Sequence, residues 1–105
     1  MKLKKGVVLY GLHPMMQIAN AEANLIWRKF GQELVVTSGG EFREGTNSLH
    51  SKFRACDYRT RYFPSDVVTK QVVARLQKKL GCDYDVLAED DHIHCEYDPI
   101  DSKLI

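Results

Sequence analysis

Histidines and carboxylates are concentrated in two short segments of this sequence. In the first segment, which runs from Ser48 to Asp57, His50 precedes Asp57 by seven positions. An imidazole nitrogen and a carboxylate oxygen are both good ligands for Zn²⁺, and these two side chains converge if the chain turns between them. The first segment therefore offers two ligands of one metal site.

The second segment runs from Glu89 to Glu96 and contains His92 and His94. On a strand these two histidines point to the same face, because side chains alternate along a strand. Either histidine can be the third ligand, and the other then stands beside the metal. Three protein ligands and one open position are typical of catalytic zinc, with a nearby carboxylate as general base.

Each segment also has a plainer interpretation. A His-x-His pair on a strand is often a surface or structural pair, and an aspartate in a strand often faces solvent. An acidic run such as Glu89 to Asp91 is usually a solvated turn between strands. It is the occurrence of both segments in one small chain that favours a metal site.

The elements that must position these segments are predicted from apolar periodicity and from turn residues. Apolar residues recur at helical spacing over 15–30, behind Pro14 and before Gly31. A second apolar stripe covers 67–80, behind a helix start at Pro64-Ser65-Asp66. The sequence therefore predicts two helices.

Four segments are rich in the residues that favour strands, and a fifth segment, Lys5–Tyr10, is expected to be extended. The predicted strands are Leu34–Thr37, Arg54–Thr60, Tyr84–Ala88 and His92–Tyr97. The order of helices and strands predicts an α+β fold in which the helices pack on a small, mainly antiparallel sheet.

Length and composition indicate a single globular domain covering residues 1–105. A formal net charge of +1 gives no reason to expect a nucleic-acid partner, and no apolar run is long enough to predict a membrane span. We expect a monomer that is made in the cytoplasm without a signal peptide. The three cysteines are an odd number, which argues against a disulfide framework.

Taken in order, the two histidine segments resemble the motifs of the zinc D-alanyl-D-alanine peptidase and hedgehog superfamily, and especially its small phage-type cell-wall peptidases. That family carries Ser-x-His-x-x-Gly-x-Ala-x-Asp, followed by a late strand with Asp/Glu-x-x-His. The matching residues here are Ser48, His50, Ala55 and Asp57, then Asp91 and His94. The strand and loop from Val35 to Arg43 are also similar to those of the family. The segment His-Ile-His-Cys at 92–95 is similar to the corresponding strand of hedgehog proteins. The resemblance covers nearly the whole chain and implies a hedgehog/DD-peptidase-like fold.

The resemblance implies that His50, Asp57 and His94 hold Zn²⁺. His94 is preferred to His92 because it aligns with the liganding second histidine of the hedgehog-like strand. The same choice leaves Asp91 three residues earlier, where the family's catalytic carboxylate usually stands.

The resemblance also implies roles for the residues around the metal. Asp91 is the expected general base, and Glu89 takes that role if His92 rather than His94 is the ligand. Arg43 matches the family's arginine that binds substrate and stabilises the carbonyl oxygen as it gains charge. His92 is expected to line the site and to orient substrate or water.

The implied activity is hydrolysis of an amide bond in peptidoglycan stem peptides, of the D-Ala-D-Ala carboxypeptidase or the L-Ala-D-Glu endopeptidase type. The protein would reach the cell wall after release from the cell or as part of a phage particle. One departure from the motif is Phe53, which stands where the family has glycine and implies a rearranged loop between the ligands. Phe53 motivates the alternative of a zinc-stabilised binding module without catalysis, and a metal-free structural domain is a third possibility.

Residues outside the two segments are assigned structural roles. Cys56 and Cys95 neighbour proposed ligands, so they should point to the opposite face of the sheet and act as small buried hydrophobes. Trp27 is expected in the core, and His13 is expected to be a surface loop residue without a role in the site.

Overall fold

The structure is a computed structural model that describes residues 1–41 and 53–99. The described residues form a small α+β domain with two helices and a mixed five-stranded sheet. In chain order the elements are β1 (Lys2–Leu3), α1 (Pro14–Lys29), β2 (Val35–Ser38), β3 (Ala55–Arg59), α2 (Asp66–Leu80), β4 (Tyr84–Ala88) and β5 (His92–Tyr97). Both predicted helices and all four predicted strands are present, with boundaries within one or two residues.

The sheet has the strand order β1-β2-β3-β5-β4. β1 pairs with β2 in parallel, whereas the other three pairings are antiparallel. This topology places β3 and β5 side by side at the middle of the sheet. The two histidine segments of the sequence meet there, since Asp57 lies on β3 and both His92 and His94 lie on β5.

The prediction of an extended segment at Lys5–Tyr10 was wrong in its position. The strand is shorter and earlier, at Lys2–Leu3, and the chain turns at Gly6, which has a φ of 89°. Such a positive φ is readily adopted by glycine, so the turn ends the strand. Val7 and Leu9 then contribute to the core through side-chain packing instead of strand pairing.

Both helices begin at capping residues. At α2, Ser65 accepts a hydrogen bond from the backbone N–H of Val68 at 3.3 Å. At α1, Pro14 is the first helical residue and the Nδ1 atom of His13 accepts from the N–H of Met15 at 3.1 Å. His13 lies in the loop before the helix, as expected, but it is half-buried: its ring satisfies a free donor at the start of the helix and its centroid lies 5.0 Å from that of Tyr97.

The core lies between the two helices and one face of the sheet. Trp27 on α1 and Leu76 on α2 are fully buried there, together with the inward-facing residues of the central strands. Cys56 and Cys95 belong to this core, as predicted, and burial raises the pKa of both thiols to about 12. At neutral pH they are neutral, buried thiols and not metal-binding thiolates.

Within residues 1–41 and 53–99, neither helix is long and apolar enough to cross a membrane.

Candidate functional site

The site is built on the face of the sheet opposite the helices. Because β3 and β5 alternate, burying Cys56 and Cys95 on the helix side turns Asp57 and His94 to the other face. The N–H of Glu89 donates a hydrogen bond to the carbonyl of His92, so the backbone of His92 faces β4. In an antiparallel pair this orientation repeats at every second residue, so residues 94 and 96 also direct their N–H and C=O groups toward β4. Asp57 and His94 are therefore a non-hydrogen-bonded cross-strand pair, the type that brings side chains closest.

This register places a carboxylate directly against an imidazole. The Oδ1 atom of Asp57 and the Nδ1 atom of His94 are 2.9 Å apart. Asp57 is the one buried charged residue in the described part of the chain, with 8% of its surface exposed. A buried carboxylate needs a partner to offset the loss of hydration, and the imidazole provides one.

Glu96 is hydrogen-bonded to Nε2, the other ring nitrogen of His94. Its Oε1 atom lies 2.9 Å from the Nε2 atom of His94, two residues earlier on the same face of β5. The hydrogen bond with Asp57 raises the pKa of His94 above its usual value against the opposing effect of burial, and the hydrogen bond with Glu96 raises it further. The ring is thus held at both nitrogens, which fixes its orientation.

His92 connects the buried aspartate to an exposed one. Its Nε2 atom is 3.7 Å from Oδ1 of Asp57, and its Nδ1 atom is 2.6 Å from Oδ1 of Asp91. The hydrogen bond from His92 lowers the pKa of Asp91 below its usual value. Asp91 is therefore an ionised carboxylate at neutral pH, oriented by a histidine that also faces Asp57.

A polar cavity of about 230 Å³ opens beside Asp57 and His92. Asp57, His92 and Asp91 all line it. Glu89, the alternative general base, lines other cavities with Asp66 and Thr69. Asp91 therefore lines the same cavity as Asp57, which Glu89 does not line. The ring of His94, with Nδ1 2.9 Å from Asp57, lies closer to this carboxylate than the ring of His92, with Nε2 at 3.7 Å.

Two of the residues named from the sequence, Arg43 and His50, lie outside the described residues. The residues that are described do not by themselves bring Asp57 and His94 together with a third metal ligand. Their one grouping of three potential ligands comprises Asp85, Glu96 and Asp98, whose carboxylate oxygens lie within 4.8 Å of one another. Carboxylates alone are not a typical zinc set, and acidic groups on a surface often cluster without an ion.

The sequence reasoning missed Glu96 and the cations beside Asp57. Alternation along the strands would have identified two of them, because Glu96 follows His94 by two residues and Arg59 follows Asp57 by two. Arg59 and Arg61 line the same cavity as Asp57, together with Lys4.

The backbone before β3 is strained at Phe53, the residue that replaces the glycine of the motif. Phe53 has a φ of 60°, in the left-handed region that glycine adopts without cost and an aromatic residue rarely occupies. Its carbonyl accepts a hydrogen bond from the N–H of His13 at 2.9 Å. Its ring lies over Gly40 and close to Gly11, where the absence of side chains leaves room.

At position 53 itself the backbone keeps the conformation typical of glycine. The predicted rearrangement concerns 51–52 as well, which lie outside the described residues.

Gly40→Ala tests this packing, because the new methyl group would overlap the Cδ1 and Cε1 atoms of Phe53. We expect the substitution to lower the free energy of unfolding by about 1–3 kcal/mol, the usual cost of overpacking. In a Phe53→Gly background the cost should largely disappear. Urea unfolding of the four proteins of this double-mutant cycle measures the coupling.

Gly39→Ala is the matched control for this cycle. Its methyl group would lie 2.6 Å from the backbone oxygen of Val8, a contact that Phe53→Gly does not remove. Gly39→Ala should therefore be equally destabilising in both backgrounds. If the cost of Gly40→Ala is also the same in both backgrounds, Phe53 does not occupy the space above Gly40.

Hydrogen bonds of Glu41 connect the end of β2 to the segment before α1. Its carboxylate accepts hydrogen bonds from the N–H of Val8 at 2.5 Å, from the N–H of Gly39 and from the hydroxyl of Ser38 at 2.8 Å. Burial acts to raise the pKa of Glu41, but these hydrogen bonds outweigh it and the pKa is lowered. These hydrogen bonds hold the side chain of Glu41, the last described residue before Arg43 and His50.

Comparison of the chain with protein-family models, curated proteins and solved structures yields no match.

Proposed function

We propose that this protein is a zinc-dependent peptidase that hydrolyses an amide bond in peptidoglycan stem peptides. The observation that carries the proposal is the pairing of Asp57 with His94 at 2.9 Å, on the open face of the sheet. Asp57 is the last residue of the first motif and His94 the last residue of the second, so residues from both motifs meet at one point. The hedgehog/DD-peptidase-like fold that the motifs imply is part of the same proposal.

The donor atoms that meet there suit zinc. A buried carboxylate oxygen and an imidazole nitrogen lie within the distance that separates two ligands of one ion. Asp57, His94 through Nδ1, and His50 would hold the metal. Zn²⁺, when bound, supplies Lewis acidity that polarises the scissile carbonyl group and activates water as nucleophile.

Asp91 performs the proton transfers in this proposal. Its carboxylate is ionised and exposed, and it lines the cavity beside Asp57. It accepts a proton from the attacking water, and it returns that proton to the nitrogen of the leaving amine as the amide bond breaks. His92 orients the carboxylate of Asp91, and Arg43 binds the carbonyl oxygen of the substrate.

The test is digestion of purified peptidoglycan, with mass spectrometry of the released peptides, in the presence and absence of a chelator. We expect stem-peptide cleavage that the chelator abolishes and added zinc restores. The masses of the products also identify the bond, whether D-Ala-D-Ala, L-Ala-D-Glu or a cross-bridge. His50→Ala should abolish both zinc binding and cleavage.

A zinc-stabilised binding module is the second candidate, favoured by the aromatic side chain of Phe53 at the glycine position of the motif. It predicts bound zinc without release of any peptide. Metal analysis of the purified protein separates both candidates from a metal-free structural domain, which would contain no zinc. Absence of chelator-sensitive cleavage on any stem peptide would refute the peptidase.

A further inference from the structure

A second cavity lies beside α1, on the helix side of the sheet. Its volume is about 360 Å³, within the range of roughly 300–1,000 Å³ that is typical of sites for small molecules. Its walls combine the apolar side chains of Met1, Leu9 and Leu12 with polar residues of α1. None of the residues that line it also lines the cavity beside Asp57, so binding here is independent of the proposed catalytic site.

Three carboxamide side chains line this cavity from one face of α1. Gln17, Asn20 and Asn24 are separated by three and four residues, the spacing that places side chains on the same side of a helix. Two of the three are hydrogen-bonded within the protein. The Nε2 atom of Gln17 donates to the carbonyl of Leu12 at 3.0 Å, and Oδ1 of Asn20 accepts from the hydroxyl of Tyr58 at 2.5 Å. The fold therefore holds both of these carboxamides in place.

Asn24 differs from the other two carboxamides. Its Oδ1 atom is shielded from solvent, and no described residue donates a hydrogen bond to it. A buried acceptor without a partner is destabilising, so such atoms are few in folded proteins and point to a functional position. Because the torsion that orients the carboxamide of asparagine has broad minima, a rotation about this bond directs Oδ1 to a donor in the cavity.

The lining of the cavity also determines the charge of a ligand. None of the described residues that line it has a charged side chain. The terminal ammonium group of Met1 lies 3.9 Å from Oε1 of Glu33, which offsets its charge. A charged ligand would lose hydration here without gaining a counter-charge, whereas an apolar surface gains by contact with Leu9 and Leu12. The lining therefore selects an uncharged molecule.

We propose that this cavity binds a small uncharged molecule with an apolar body and one amide or hydroxyl group that donates a hydrogen bond to Oδ1 of Asn24. The apolar body packs against Met1, Leu9 and Leu12. The hydrogen bond satisfies the acceptor that the fold leaves without a partner. A peptidoglycan stem peptide carries charged groups, so the ligand of this cavity belongs to a different class from the proposed substrate.

Three benzene derivatives test the proposal: N-methylbenzamide, methyl benzoate and benzoate. The first two have nearly the same shape, but only the amide has an N–H donor, and benzoate carries a charge. Binding of each probe to the full chain is measured by NMR titration in the presence of a chelator, which prevents zinc-dependent hydrolysis. We expect both neutral probes to shift the amide signals of Asn20, Ala21 and Asn24, and benzoate to bind at least tenfold more weakly than the amide.

Asn24→Leu removes the acceptor and keeps the approximate size of the side chain. It should weaken binding of N-methylbenzamide by about five- to tenfold, as loss of one neutral hydrogen bond does, without weakening binding of methyl benzoate. It should also raise the urea concentration at the unfolding midpoint, because an unsatisfied buried oxygen is removed. Gln71→Leu is the matched control, since Gln71 is exposed on α2 and does not line the cavity.

Ala21→Trp fills the cavity from an exposed position on α1 and should abolish binding of both neutral probes. Ala74→Trp, at an exposed position on α2, is its control and should bind them unchanged. The proposal is overturned if neither neutral probe binds, if benzoate binds as tightly as the amide, or if Ala21→Trp retains binding. It is also overturned if Asn24→Leu changes the affinity for N-methylbenzamide no more than Gln71→Leu does.

Discussion

Asp91→Asn is expected to lower kcat for stem-peptide cleavage by about 10²–10⁴-fold, the contribution of a positioned general acid–base group. Asparagine has the same shape, and its oxygen still accepts the hydrogen bond that His92 donates to Asp91 at 2.6 Å. What it loses is the ability to accept a proton from water. Zinc content should therefore be unchanged. Steady-state kinetics and metal analysis of the same preparation measure the two quantities together.

Glu89→Gln is the matched control for Asp91→Asn. It removes a carboxylate two residues away, on the same turn, that does not line the cavity beside Asp57. We expect its kcat to stay close to that of the unsubstituted protein. If Glu89→Gln lowers kcat and Asp91→Asn does not, Glu89 is the general base and His92 the more plausible third ligand. Loss of zinc in Asp91→Asn would show that Asp91 acts on the metal and not on the proton.

Glu96→Gln is expected to weaken zinc binding by about 10–100-fold, the usual effect of removing a carboxylate that orients a liganding histidine. Glu96 holds Nε2 of His94 at 2.9 Å, so Nδ1 is left directed at the oxygen of Asp57. Glutamine keeps the size of the side chain, but it is a weaker acceptor and does not support the basicity of the ring. Competition against a chromogenic chelator measures the zinc affinity.

Asp85→Asn is the control for the loss of a negative charge near His94. Asp85 lies directly opposite Glu96 on β4 and belongs to the same acidic group. A general electrostatic effect on zinc would weaken binding equally in both variants. An effect through the orientation of His94 would be large only in Glu96→Gln and partly restored by Glu96→Asp. Equal unfolding free energies in urea for the two variants would exclude a merely structural cause.

Much of the fold was predictable from the sequence because its signals are local. The apolar stripe of α2, its Ser65 cap and the Gly81 stop all lie in one continuous segment, 65–81, so they specify the helix without the rest of the chain. Alternation on β3 and β5 likewise determines that Asp57 and His94 lie on the faces opposite Cys56 and Cys95. These features depend on periodicity and capping, which neighbours in sequence decide.

The position of β1 and the capping role of His13 were not predictable in the same way. Lys2–Leu3 is a strand only because β2 provides a parallel partner, and two residues carry too weak a pattern to be recognised alone. His13 precedes a proline and is not a usual capping residue, and its ring packs against that of Tyr97, which is far along the chain. The pairing of β1 and the packing of the His13 ring both depend on contacts between distant segments.

The sequence by itself determined which residue types are available for a site: two histidine segments, their carboxylates, and the strands that carry them. Only the tertiary structure decided which of them meet. The register of β3 against β5 places Asp57 opposite His94 and Arg59 opposite His92, and it leaves Glu96 to hold the far side of the ring. A shift of one residue would turn every side chain of a strand to the other face, so register is decided by how the helices pack on Cys56 and Cys95, which no local pattern records.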